Sequence, residues 1–224
     1  MWRNNCLARE IQWACLLWLS IGLLGCSAGS PPEPPGCRVE LGGPVEPQPR
    51  GVPPTPDALA QTGPHHFWST QPHPSCNANP RIQAASSDTE LELLITYPAA
   101  TKPLESGYGD VAPGKWPVIL FAHANTYADC HLVDAYTTLH QRWASWGFIV
   151  VSVDASALCV KNSKANLEGR RDDLVAAWSS VAQMGQQPEH ILYGHIDTEK
   201  VVLAGHSRGA TAALLAVQEI QSVD

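Results

Sequence analysis

The residues Gly205-His206-Ser207-Arg208-Gly209 fit the pattern G-x-S-x-G, in which a serine is presented on a tight turn between a strand and a helix. On such a turn the Ser207 hydroxyl can attack a carbonyl carbon. The two glycines are needed because a side chain at either place would clash with the strand or the helix. The turn also puts the backbone N–H of Arg208 at a helix N-terminus, ready to receive a developing oxyanion. Five residues alone are weak support; the context decides. Lys200-Val201-Val202-Leu203-Ala204 reads as a buried strand running into the motif, and Ala210–Ile220 as a helix running out of it. Within that helix Thr211–Val217 (TAALLAV) is apolar nearly all round, which a helix tolerates only if buried. Ser207 therefore reads as a nucleophile rather than a structural serine.

A serine hydroxyl needs a general base, and the base needs an orienting carboxylate. Only 17 residues follow Ser207; they contain Glu219 and Asp224 but no histidine, and all nine histidines lie upstream. Adjacent side chains diverge on the turn, so His206 is expected as a wall of the site rather than the base. His123, at a strand end, reads as a packed structural residue. Asp154, at the end of the next strand, is topologically near the site but has no histidine to orient. His65, His66, His73 and Cys76 match no closed zinc pattern, so they are expected as solvated loop residues. Neither a metal nor a cofactor is expected.

The elements that must position these groups are legible in the periodicity. Leu91, Leu93, Ile95 and Tyr97 alternate with Glu92, Leu94 and Thr96, a period-2 strand with one wetter face that Pro98 should stop. Residues 65–88 before it read as loop. Pro117–Ala122 is a continuous apolar run, the signature of a strand buried on both faces. Leu132, Tyr136, Leu139, Trp143 and Trp146 trace one helix face, with Gly147 where a C-terminal cap would sit. Phe148–Val153 is a second buried strand, and Leu167, Leu174, Trp178 and Val181 mark a helix ending before Pro188. Strand–helix alternation of this kind implies right-handed crossovers and a mostly parallel sheet. Trp116 and Trp146 are expected to pack between elements; lining an apolar cleft is the rarer use.

From about Leu91 to Asp224 the chain resembles the α/β-hydrolase superfamily, most closely the esterases related to dienelactone hydrolase, platelet-activating-factor acetylhydrolase, chlorophyllase and cutinase-like polyesterases. The resemblance rests on Tyr97-Pro98, Pro117–His123, Trp146–Val151, Arg171-Asp172-Asp173-Leu174 and the GHSRG turn. It implies a three-layer α/β sandwich. It also implies that the loop after Pro117–Ala122, usually beginning His-Gly-X, supplies a second oxyanion donor. His123-Ala124-Asn125 matches it, so Asn125 inherits that role through its N–H, with Ala124 where the family usually has glycine. The family's order of Ser, then Asp or Glu, then His has no counterpart after Ser207. The implied reading is the N-terminal part of a hydrolase cut short after the nucleophile helix, inactive and poorly folded alone, with Val201–Ala204 as an open apolar edge. The same topology places Cys130 and Cys159 in loops after adjacent parallel strands, where a disulfide could join them.

The first residues read as a targeting segment. Arg3 and Arg9 precede Ile11–Leu24, an uncharged, mostly apolar run of 14 residues, a length that suits a signal peptide better than a membrane span. Leu23-Leu24-Gly25-Cys26 looks like a bacterial lipobox, so residues 1–25 are expected to be removed and Cys26 acylated, holding the protein on a membrane surface in the cell envelope. An ordinary secretory signal is the alternative. Ten of the 19 prolines lie between Pro31 and Pro56, so 26–64 reads as an extended tether and 65–224 as the folded domain. The net charge is −7, and no basic run exists, which argues against nucleic acid as a partner. The expected function is hydrolysis of a small-molecule or polymeric carboxylic ester. The competing class is a non-catalytic surface lipoprotein that uses the scaffold for binding, and amide hydrolysis on the same turn is not separable from sequence.

Overall fold

In the computed structural model the structure describes residues 57, 60–70, 79–102, 109–125, 132, 135–159 and 164–221. Residues 1–25, expected as a signal segment, Cys26, most of the expected tether, Cys130 and Asp224 lie outside them. Six strands form the sheet: β1 (His66–Ser69), β2 (Arg81–Gln83), β3 (Glu90–Ala99), β4 (Trp116–Ala122), β5 (Ile149–Val153) and β6 (Ile196–Gly205). The helices are α1 (Thr137–Ser145), α2 (Lys164–Met184) and α3 (Arg208–Gln221), with a 3-10 turn at Ser156–Leu158. The sheet order is β1-β3-β5-β4-β6, with β2 pairing off the path on β3. β5–β4–β6 is parallel; β1, β3 and β5 pair antiparallel.

The three parallel strands differ in how fully they are covered. In β4 and β5 nearly every residue is buried: Val118, Leu120, Ile149 and Val150 are each 0% exposed. Helix α1 packs on the face over β1, β3 and β5, while α2 and α3 pack on each other and over β4, β5 and β6. Leu174, Ala177 and Val181 of α2 and Ala212, Ala213 and Ala216 of α3 meet Val118, Leu120 and Val151 in one core. Small residues on α3 let that helix lie close to the sheet. Each fully buried Val or Leu contributes roughly 1.5–3 kcal/mol.

Four local expectations are corrected. The segment 65–88 holds β1 and β2, because β3 recruits both as antiparallel partners (Trp68↔Tyr97, Ile82↔Leu91); neither is long enough to carry a period of its own. β3 has no wet face, since Leu94 and Thr96 are buried along with Leu93 and Ile95. Nor does Pro98 end it. Pairing with β5 stops at Thr96↔Val150, so the missing proline N–H leaves no gap in that ladder. Finally, β6 and α3 are not buried throughout. β6 pairs only with β4 among the described strands, leaving Val202 45% exposed and Leu214 of α3 74% exposed.

The close of the Pro-rich stretch is already docked. The Ala60 carbonyl accepts from Arg142, that of Gln61 from the Trp146 indole N–H, and the Gly63 N–H bonds the Ser145 hydroxyl at 2.8 Å. Trp116 donates its indole N–H to Ala112 and stacks edge-on with His65. Both tryptophans thus serve packing at the sheet end opposite Ser207. Gly147 caps α1 with φ 90°.

Candidate active site

β6 runs straight into the turn and α3 straight out of it, as the chemistry of the motif requires. Ser207 has φ 55°, the one left-handed non-glycine residue among those described. That conformation costs an L-residue roughly 1–2 kcal/mol, so its surroundings must enforce it. They do. The His206 N–H bonds the Ala122 carbonyl at 3.1 Å, Gly209 N–H returns to the His206 carbonyl at 2.9 Å, and Ala210 N–H takes the Ser207 carbonyl at 3.1 Å. The glycines are sterically required: a Cβ on Gly205 would stand 2.5 Å from the Gly209 carbonyl carbon, and one on Gly209 would run into the Ala122 carbonyl. Ser207 is exposed at the carboxyl end of the sheet. Arg208 opens α3, so its N–H is one of the four that a helix leaves without an internal acceptor.

The other half of the site is the loop after β4. Ala124 is buried and is not in the left-handed region, so replacing the family's glycine costs no backbone strain here. Half-buried Asn125 follows it. His123 is fully buried; its Nε2 accepts the Ala155 N–H at 2.9 Å, which puts the ring proton on Nδ1, donated to the Ala124 carbonyl at 2.7 Å. Both ring nitrogens are therefore committed to holding loops. Asp154 lies 3.6 Å from His123 Nε2, and its carboxylate accepts from the N–H and hydroxyl of Ser156. Glu219 faces Arg171 on the helix surface.

Two functional-looking residues escape the sequence reading. Arg170 of α2, 1% exposed, donates to the His123 carbonyl at 3.0 Å and to Asn125 Oδ1 at 3.2 Å, and reaches Cys159 Sγ at 3.8 Å. Burial lowers its pKa, as does the like charge of Arg208, while Asp173 and Asp154 oppose that. An arginine still stays charged, so a cation sits directly beneath the loop. Its neighbours in the quoted RDDL segment look elsewhere: Asp173 takes the Ser86 N–H and hydroxyl, and Arg171 pairs with Asp172. The second residue is Tyr136. Its hydroxyl lies 2.9 Å from His206 Nδ1 and accepts the Ala124 N–H at 3.4 Å.

His206 is an exposed wall residue whose Nδ1 is taken up by Tyr136. Beneath Tyr136 lies His140, fully buried between Phe121 and Trp143 with no hydrogen-bond partner among the described residues, its pKa lowered by burial to about 4. Cys159 is disulfide-bonded; its expected partner, Cys130, lies outside the described residues. A cavity of about 690 Å³ opens beside the turn, lined by Phe121, Tyr136, Leu203, His206, Ala213 and Leu214 among others. Among the described residues no group of metal-ligating side chains is assembled, and no helix is long and apolar enough to cross a membrane.

The arrangement holds an exposed hydroxyl on a strained corner, a free helix N-terminus beside it, and a braced backbone loop at the end of the adjacent strand. Those parts suit attack on a carbonyl and stabilisation of the oxyanion that forms. No curated protein matches the chain. A protein-family model described as chlorophyllase matches residues 84–223, which spans β3 to α3 and takes in both the loop after β4 and the serine turn. The chain therefore belongs to the chlorophyllase family, a group of ester-acting hydrolases with the α/β-hydrolase fold.

Proposed function

We propose that the protein is an exported, lipid-anchored serine hydrolase of carboxylic esters. Ser207 Oγ attacks the ester carbonyl and gives its proton to a general base. The oxyanion is held by the N–H groups of Asn125 and Arg208 until the intermediate collapses and the alcohol leaves carrying that proton. Water then releases the acid from the acyl-serine by the same steps in reverse. The observation that carries this reading is the backbone of Ser207. A φ of 55° at a non-glycine residue, enforced by two glycines that cannot bear a Cβ, is strain of the kind that clusters where a side chain is aimed at a substrate.

No described histidine is placed to serve as the base: His123 is committed to its loops, and His140 is buried in the aromatic cluster. The base and its carboxylate thus belong to segments outside those described. Acylation of Cys26 would bring the site to a membrane surface, where hydrophobic or polymeric esters accumulate.

Protein isolated from the membranes of its source cells should hydrolyse p-nitrophenyl acetate, and Ser207→Ala should abolish that activity. Full turnover by Ser207→Ala would contradict the reading. Cys26→Ser should move the protein from the membrane to the soluble fraction.

A further inference from the structure

Tyr136 occupies the N-cap of α1, yet makes no side-chain cap hydrogen bond. Ser, Thr, Asp or Asn at that place would typically stabilise the helix by about 1 kcal/mol. A broken local rule of this kind points to a use elsewhere. The ring is fixed by packing on Phe121 at 4.7 Å and by His140 beneath it, so its hydroxyl has a defined position. That oxygen meets both halves of the site: the Ala124 N–H, one residue before Asn125, and the ring of His206, one residue before Ser207.

The phenol oxygen accepts the Ala124 N–H and shares a second hydrogen bond with His206 Nδ1. His206 is thus held twice, by its own N–H on the Ala122 carbonyl at the end of β4 and through Tyr136 on the Ala124 N–H of the loop that follows. We propose that the Tyr136 hydroxyl is a positioning residue that locks the loop after β4 to the serine turn, fixing the spacing between the Asn125 and Arg208 donors. The catalytic part of this rests on Ser207 being the nucleophile; the clamp does not.

Two readouts separate these. In the full chain, Tyr136→Phe keeps the packed ring and removes only the oxygen. Exchange of the Ala124 amide should accelerate roughly tenfold, and the His206 ring-nitrogen resonances should lose the signature of a bonded Nδ1. Unchanged Ala124 exchange overturns the clamp. In protein from source membranes, the maximal rate of Ser207 phosphonylation by a fluorophosphonate should fall roughly five- to tenfold with the probe's apparent affinity unchanged. His206→Phe should cause a similar fall, and the double variant no more than either alone. Losses that multiply, or a loss confined to affinity, overturn the positioning role. Wild-type protein that is not phosphonylated at Ser207 sinks the nucleophile reading instead, and the exchange result then decides the clamp by itself.

Discussion

The two flanks of the serine turn are built very differently. On the β4 side the loop 123–125 is held from below by Arg170, from within by His123 and from beside by Tyr136. On the β6 side the sheet has an unpaired edge among the described strands, and apolar side chains of β6 and α3 stand in water. One flank over-determines the backbone; the other leaves it bare. The difference separates the tasks of an ester hydrolase. Stabilising an oxyanion needs donors fixed before the reaction, and a dense hydrogen-bond frame supplies that. On the bare flank, exposed Val202 and Leu214 leave an apolar surface beside an unpaired strand edge among the described strands.

The comparison can be broken most forcefully at Gly209. Gly209→Ala places a methyl against the Ala122 carbonyl and should destabilise by about 4 kcal/mol, read from the urea midpoint; a midpoint near wild type would mean the turn is not as tight as described. Next is Arg170→Met, which leaves the His123 carbonyl and Asn125 Oδ1 without their donor. It should cost about 3 kcal/mol, whereas Arg171→Met, at a half-buried position facing Asp172 and Glu219, should leave the midpoint where it was within about 0.5 kcal/mol.

The third test is pH. Burial lowers the His140 pKa to about 4, so between about pH 4 and 6.5 the unfolded chain binds a proton that the folded one refuses. The stability involved is fully present above pH 6.5 and is lost as pH falls towards 4. His140→Phe should therefore reduce the loss of stability between pH 7 and 4.5 by about 2 kcal/mol; an identical pH profile would contradict the buried neutral ring. The smallest expected effect is on the bare flank. Leu214→Glu should change stability by less than about 0.5 kcal/mol while reducing self-association in light scattering, and a large destabilisation would show that this face is covered.

The sequence carries the serine turn plainly, because glycine, serine and the flanking apolar runs are local signals, and β4 and β5 are marked by runs that only a doubly covered strand tolerates. What it does not carry is the bracing. Arg170 acts on Asn125 from 45 positions away and Tyr136 on His206 from 70, and neither contact leaves a periodic trace. Tyr136 reads as one more apolar position on a helix face, although the helix begins only after it. β1 and β2 are short strands made by pairing with β3, and no window of their own length reveals them. The exposure of α3 is likewise a property of what packs beside it rather than of TAALLAV itself.

The central claim is that the strained corner presents Ser207 as the nucleophile. It is tested most directly by treating the protein with a fluorophosphonate and mapping the adduct by peptide mass spectrometry. The adduct is expected on Ser207 and absent from Ser207→Ala. Folded protein that carries no adduct, or carries it on another residue, would contradict the account.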